Sequence, residues 1–327
     1  MRVAVTGGTG HIGGNLVRAL VERGDVVRVL VHEDARAIEG LAVERISGDV
    51  LDPESLRKGF AGMEIVFHLA ALISITGDQG GRVTAVNVQG AENSARAALA
   101  AGCRRFVHVA SVHAFDMAPL GLPVDETRAR SLGAHHAAYD RSKALGEAAV
   151  RRVFADGLNG VVLHPAGVLG VNDFRPSRVG QFFLDLYHRK LPALTPGGFD
   201  WVDVRDVVGG ILAASERGRS GESYILSGEW RAMVELAAIA ANVTGVAAPR
   251  YVSPMWAARL GAPFMTLFNR VTGIEPLYTS EALDALEANH VLSHAKAAAE
   301  WAYAPRPITE AVRDLYGWFD AQGWLKK

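Results

Sequence analysis

Tyr139 and Lys143 stand four residues apart, one helical turn, so in a helix both side chains leave the same face. That pairing has a chemical reading. A free phenol titrates near about 10 and exchanges protons poorly at neutral pH. A lysine cation beside it favours the phenolate and lowers that value toward the working range. Upstream, the apolar run Phe106 to Ala110 reads as a strand that ends at Ser111, which places a hydroxyl at a strand end. A Y-x-x-x-K spacing alone is common by chance, so its weight depends on the elements that come before it.

The first 14 residues supply that context. Val3, Ala4 and Val5 form the continuous apolar run of a strand buried on both faces. Thr6-Gly7-Gly8-Thr9-Gly10-His11-Ile12-Gly13-Gly14 follows, then Leu16, Val17, Leu20 and Val21 at helical spacing, with Gly24 at the helix end. Strand, glycine turn and helix in that order make a dinucleotide site. Gly7 permits the sharp turn, Gly10 lets the backbone approach a pyrophosphate, and Gly13 lets helix and strand pack closely. The helix N-terminus adds free N–H groups and partial positive charge.

The spacing is G-x-x-G-x-x-G, and with Thr6 ahead of it this resembles the short-chain dehydrogenase/reductase superfamily. Further pieces follow in that family's order: a strand Val26 to Val31, Gly48-Asp49-Val50, the run Ile65 to Ala71, a helix opened by Asn87 and running to Gly102, then Ser111 and Tyr139-x-x-x-Lys143. The resemblance implies that Tyr139 exchanges a proton with the substrate oxygen, that Lys143 also holds the nicotinamide ribose, and that Ser111 hydrogen-bonds the same oxygen. It further implies cofactor contacts from Gly7, Thr9, Gly10, His11, Ile12 and Gly13 in the turn, Asp49 and Val50 at the adenine, Leu69, Ala70 and Ala71 under the ribose, and Pro165 and Val168. On the substrate side stand Ser111, His113, Tyr139 and Gly167. No metal is needed.

The segment His164-Pro165-Ala166-Gly167-Val168-Leu169-Gly170 and the stretches Asp173 to Ser177 and Gly197 to Val207 resemble the extended branch, the NAD-dependent epimerase/dehydratase family, and within it bacterial dihydroflavonol-4-reductase-like proteins. His164 stands where that branch carries arginine. The implied fold is an α/β Rossmann domain, a doubly wound parallel sheet, over residues 1–165 with 201–228 returning to it. A smaller, mostly helical substrate domain takes 166–200 and 229–327. The implied activity is hydride transfer between NAD(P) and a carbonyl or secondary alcohol. Rival readings are a nucleotide-sugar epimerase or dehydratase with tightly held NAD, a hydroxysteroid-type dehydrogenase, and a non-catalytic dinucleotide sensor. Val31 occupies the place of the ribose-binding acid, and His32 and Arg36 together suit a 2′-phosphate, so NADP is expected ahead of NAD.

The remainder constrains partners more than chemistry. With 34 Lys+Arg against 35 Asp+Glu, the chain has no basic excess for nucleic acid. The single Cys103 excludes an internal disulfide, and with no leader-like N-terminus and no spanning apolar run the expected setting is cytoplasmic. The 35 glycines exceed the usual share of about 7%. Asp206 reads as the cap of a helix through Ala213, and Gln181 to Arg189 as an amphipathic helix. The most apolar late stretch, Ser253 to Gly273 with Trp256, Leu260, Phe264, Leu267, Phe268 and Val271, suits a cover over an apolar substrate, plain core, or contact with a membrane surface. The expected partner is a small-molecule substrate, and the resemblance implies a homodimer through the Asn87 and Tyr139 helices.

Overall fold

A computed structural model describes residues 1–261, 279–288 and 291–326. Its frame is a parallel sheet of seven strands: β1 (Arg2–Thr6), β2 (Val26–Val31), β3 (Glu44–Ser47), β4 (Ile65–His68), β5 (Arg105–Val109), β6 (Gly160–Pro165) and β9 (Ser223–Leu226), in the order β3-β2-β1-β4-β5-β6-β9. This is the Rossmann order extended by one strand, with a reversal beside β1 that opens a crevice at the strands' carboxyl ends. The central strands carry unbroken buried runs, as a sheet covered on both faces demands.

Helices α1 (His11–Glu22), α2 (Pro53–Phe60), α4 (Gly90–Ala100), α5 (Ala138–Ala155) and α7 (Val204–Arg217) belong to this frame. Leu16, Val17 and Leu20 of α1 and Val207 and Ile211 of α7 pack with Val3, Val5, Val107 and Val161 in one core. Phe60, Ala91, Ala95, Val150 and Val153 pack on the other face with Val66 and Phe106. Before α4 lies no clean helix start at Asn87: a short turn α3 (Arg82–Thr84) runs through a π-helical turn, Ala85–Gln89, into α4. Asn87 therefore sits inside a π turn, five residues after helical backbone begins.

A second, three-stranded sheet sets β7 (Gly167–Leu169) and β10 (Glu229–Ala232) on either side of β8 (Gly198–Asp203). Around it α6 (Arg178–Tyr187), α8 (Met233–Thr244) and α11 (Ile308–Ala321) enclose a separate aromatic core of Phe183, Trp201, Tyr316 and Phe319. Residues 204–217 and 223–226 return to the large sheet while 198–203 stays in the small one. The cap of α7 is Asp203, whose carboxylate accepts from the Arg205 N–H at 2.7 Å. Asp206 instead binds the backbone and guanidinium of Arg306 at 2.8 and 3.0 Å. Two further helices complete the described fold: α9 (Ser280–Leu286) packs against β8 and α10 (Ala295–Trp301) against β9. No helix among the described residues is long and apolar enough to cross a membrane.

Candidate active site

At the carboxyl ends of β1, β2 and β4 lies a cleft of about 430 Å³. Thr6, Gly7, Thr9, Gly10 and His11 line its floor, His32, Glu33, Asp34 and Asp49 one end, and Leu69, Ala70 and Ala71 the other. The glycines are there for space. Gly7 has φ +68°, and a Cβ on it would lie 2.6 Å from the Ala70 nitrogen. A Cβ on Gly13 would overlap the Gly7 carbonyl, so this glycine lets α1 start directly under the turn. The helix opens at Gly10 with no side chain capping its free N–H groups. Uncapped donors facing a cleft with no Cβ in the way are what a pyrophosphate requires, so the site fits a dinucleotide.

Not every expected cofactor residue faces this cleft. Ile12 packs against the core beside β1, Pro165 is buried at the end of β6, and Val168 pairs with Val202 between the small-sheet strands. His11 lines the cleft, but its Nε2 is engaged 3.0 Å from the Val171 carbonyl. Val50 lines the cleft beside Asp49. Arg36 is turned into Asp34 at 2.6 Å, and the guanidinium holds that carboxyl at about 2.

The catalytic candidates lie along β5 and α5. Ser111 follows β5, is buried, and its Oγ accepts from the His113 N–H at 3.2 Å, which caps a short 3₁₀ turn, Val112–Ala114. The Ser111 hydroxyl lies near enough to the Tyr139 phenol to favour its ionised form. His113 packs edge-on to the Tyr139 ring at 5.5 Å, with Nδ1 3.0 Å from Asp140 Oδ1. Lys143, one turn along α5, is buried and donates to the Val109 carbonyl at 3.3 Å. Gly167 opens β7, with its Cα side against the Trp201 ring.

The electrostatics correct one expectation. Burial is the largest influence on Tyr139 and pushes its phenol up to about 12; the Ser111 hydroxyl opposes this and the Asp140 charge adds to it. The Lys143 ammonium is directed to the Val109 carbonyl at the end of β5. Burial brings Lys143 itself down to about 8, with Glu147 opposing. Tyr139 is therefore a protonated phenol at neutral pH, the form that donates a proton.

With this geometry in view, comparison with known proteins is informative. The model of the NAD dependent epimerase/dehydratase family matches residues 3–227. The chain belongs to that family. "Sterol demethylase protein B" of Methylococcus capsulatus is 34% identical over 99% of this chain and 100% of that protein. A "Putative dihydroflavonol 4-reductase" of Synechocystis is 30% identical over 98% and 95%. The crystal structure of gox2253 superposes with a TM-score of 0.86 at 34% identity, covering 99% of each chain.

Two positioning features of this family member escaped the sequence reading. Asn87, in the π turn, accepts from the Leu72 N–H at 2.7 Å and donates to the Leu72 carbonyl and to Ser142 Oγ at 2.9 and 2.8 Å. It ties the segment after β4 to α5, and Gly146 makes room for the Asn87 carbonyl against that helix. An asparagine inside a helical run, where it is a poor helix former, was the available signal. Behind Ser111 lies a buried charge cluster. Glu147, 2% exposed, bridges Arg130 at 2.9 and 3.0 Å and Arg151 at 2.8 Å. His164 reaches the Ser111 carbonyl through Nδ1 at 3.0 Å and faces Glu147 at 3.5 Å. Burial alone would raise Glu147, but His164 and the two arginines hold it at about 2. Burial lowers His164 to about 4, so a neutral ring donates Nδ1–H to Ser111. The Lys143-Glu147-Arg151 spacing of four was the trace of this cluster in the sequence.

Proposed function

We propose that the chain is an NADP-dependent reductase of a ketone or aldehyde on a small, apolar organic molecule, acting reversibly on the corresponding alcohol. The observation that carries this reading is the neighbouring Ser111 and Tyr139 hydroxyls at the end of β5 and the start of α5, beside a cleft that fits a dinucleotide. A carbonyl oxygen placed between them meets a donor on each side. When bound, the nicotinamide supplies the hydride and its electron pair to the carbonyl carbon. Tyr139 gives its proton to the oxygen, and the product is an alcohol. Phenol burial keeps that proton in place at neutral pH, which suits reduction. Lys143, buried beneath the tyrosine, is the cation placed to hold the nicotinamide ribose and to return a proton to the phenolate.

The apolar character of the substrate rests on different residues. Leu120, Pro196, Trp230, Met255 and Leu286 line a second hollow of about 520 Å³. Trp256 and Leu260, in the described part of the late apolar stretch, are each 66% exposed. Phe264, Leu267, Phe268 and Val271 lie outside the described residues. The likeness to a protein named for sterol demethylation supports a bulky ring system over a sugar nucleotide, which moves the hydroxysteroid-type reading ahead of the epimerase one. A panel of sterol ketones, linear ketones and sugar nucleotides, followed by NADPH consumption, tests this. Turnover confined to sugar nucleotides, with cofactor retained through purification, would overturn it.

A further inference from the structure

The adenosine end of the cleft has a second wall, contributed by residues 171–175 after β7. This strap is stitched across the first turns of α1. His11 Nε2 and Asn15 Nδ2 each lie 3.0 Å from the Val171 carbonyl, and Asn172 Nδ2 donates to Asn15 Oδ1 at 2.9 Å. Phe174 is held between the Arg18 guanidinium, 5.1 Å from its ring centre, and Trp318 at 5.2 Å. The strap backbone is thus fixed from both sides. It delivers the next side chain, Arg175, to the cleft wall that also contains His32, Glu33 and Asp34.

Arg175 and Arg36 differ in what occupies them. Arg36 does not line the cleft, and its guanidinium is spent on Asp34 through bonds of 2.6 to 3.1 Å. That pair carries no net charge. Arg175 is exposed, lies near enough to Asp34 to help lower its carboxyl after the larger effect of Arg36, and makes no ion pair with a described residue. Glu33 and Asp49 face the two ring nitrogens of His32 at 3.6 and 3.4 Å. Arg82, at the start of α3, also lines the cleft, but the guanidinium whose charge reaches Asp34 at this rim is Arg175, with donors that match phosphate oxygens in pairs.

We propose that Arg175, carried on the strap, binds the adenosine 2′-phosphate of the dinucleotide and sets the preference for NADP, while Arg36 serves only to neutralise Asp34. The inference rests on the dinucleotide reading above and reassigns the phosphate contact to a residue about 140 positions later in the chain. It also couples cofactor choice to the strap, because the same segment that reads the 2′ position closes over α1.

Equilibrium binding of NADPH, NADH and 2′-phospho-ADP-ribose to the full chain, by calorimetry, tests it in wild type, Arg175→Ala, Arg175→Lys and Arg36→Ala. Arg175→Ala is expected to weaken NADPH and 2′-phospho-ADP-ribose about tenfold or more, the worth of one charge-assisted hydrogen bond, with NADH nearly unchanged. Arg175→Lys is expected to recover part of the loss, and Arg36→Ala to change the NADPH to NADH ratio less than about threefold. Equal weakening of both dinucleotides by Arg175→Ala, or a selective NADPH loss in Arg36→Ala, would overturn the assignment. Failure of wild type to bind either dinucleotide would instead overturn the cofactor reading beneath it.

Discussion

The two ends of the cofactor cleft are built on opposite principles. At the adenosine end, charges stand at the surface: Arg36 on Asp34, His32 between Glu33 and Asp49, and Arg175 on its strap. At the proposed catalytic end, the charges are buried and compensated across a loop, a helix and a strand, with Glu147 shared by Arg130, Arg151 and His164. Exposed pairs contribute little to folding, so the adenosine end can change its selectivity at small cost. A buried cluster is stable only when complete, so the catalytic end couples chemistry to folding.

The comparison breaks first on Tyr139. Replacement by Phe removes the proton donor but not the ring, and is expected to lower kcat about 10³-fold while NADPH binds as in wild type. Parallel loss of binding would mean that Tyr139 serves folding rather than proton transfer. Next in size is Glu147→Gln, which leaves Arg130 and Arg151 facing a neutral side chain. Denaturant unfolding is expected to show a loss of roughly 3 kcal/mol at pH 7. Because Glu147 is held at about 2, its contribution is present above the ordinary glutamate range and fades as pH falls from there toward 2. Acid titration of the variant should therefore lack that slope.

Lys143 gives a pH slope of the same sign in an alkaline window. Its folded value is lowered to about 8 from 10.5, so between those limits the unfolded chain binds more protons and stability rises with pH. Lys143→Met should flatten the rise, and an unchanged slope would show that the ammonium is not desolvated. Smallest is Asp34→Asn at the other end, expected to alter stability by less than about 0.5 kcal/mol. A larger loss there would erase the contrast between the two ends.

The same contrast explains what the sequence disclosed. The glycine turn was readable because backbone sites leave contiguous marks: an apolar run, glycines at fixed spacing, and a helix that starts without a capping side chain. The placement of Ser111, Tyr139 and Lys143 was readable because one strand end and one helical turn carry them. The Glu147 cluster was hidden because its members, Arg130, Arg151 and His164, come from a loop, a helix and a strand that meet only in the fold. The Arg36–Asp34 pair was hidden for the converse reason: local sequence does not show which way an arginine turns, and here a partner two residues away engages it. Asp206 failed as a cap in the same manner, since Asp203 starts the helix and Arg306, a hundred residues on, takes Asp206.

The central claim, that Tyr139 completes a hydride transfer to a carbonyl held by Ser111, is tested most directly by single turnover with NADPH deuterated at the transferring position and an apolar ketone. The account predicts deuterium on the carbinol carbon with wild type and about 10³-fold slower transfer with Tyr139→Phe. Transfer at the wild-type rate in the phenylalanine variant, or no deuterium on the product of a turning-over wild-type enzyme, would contradict it.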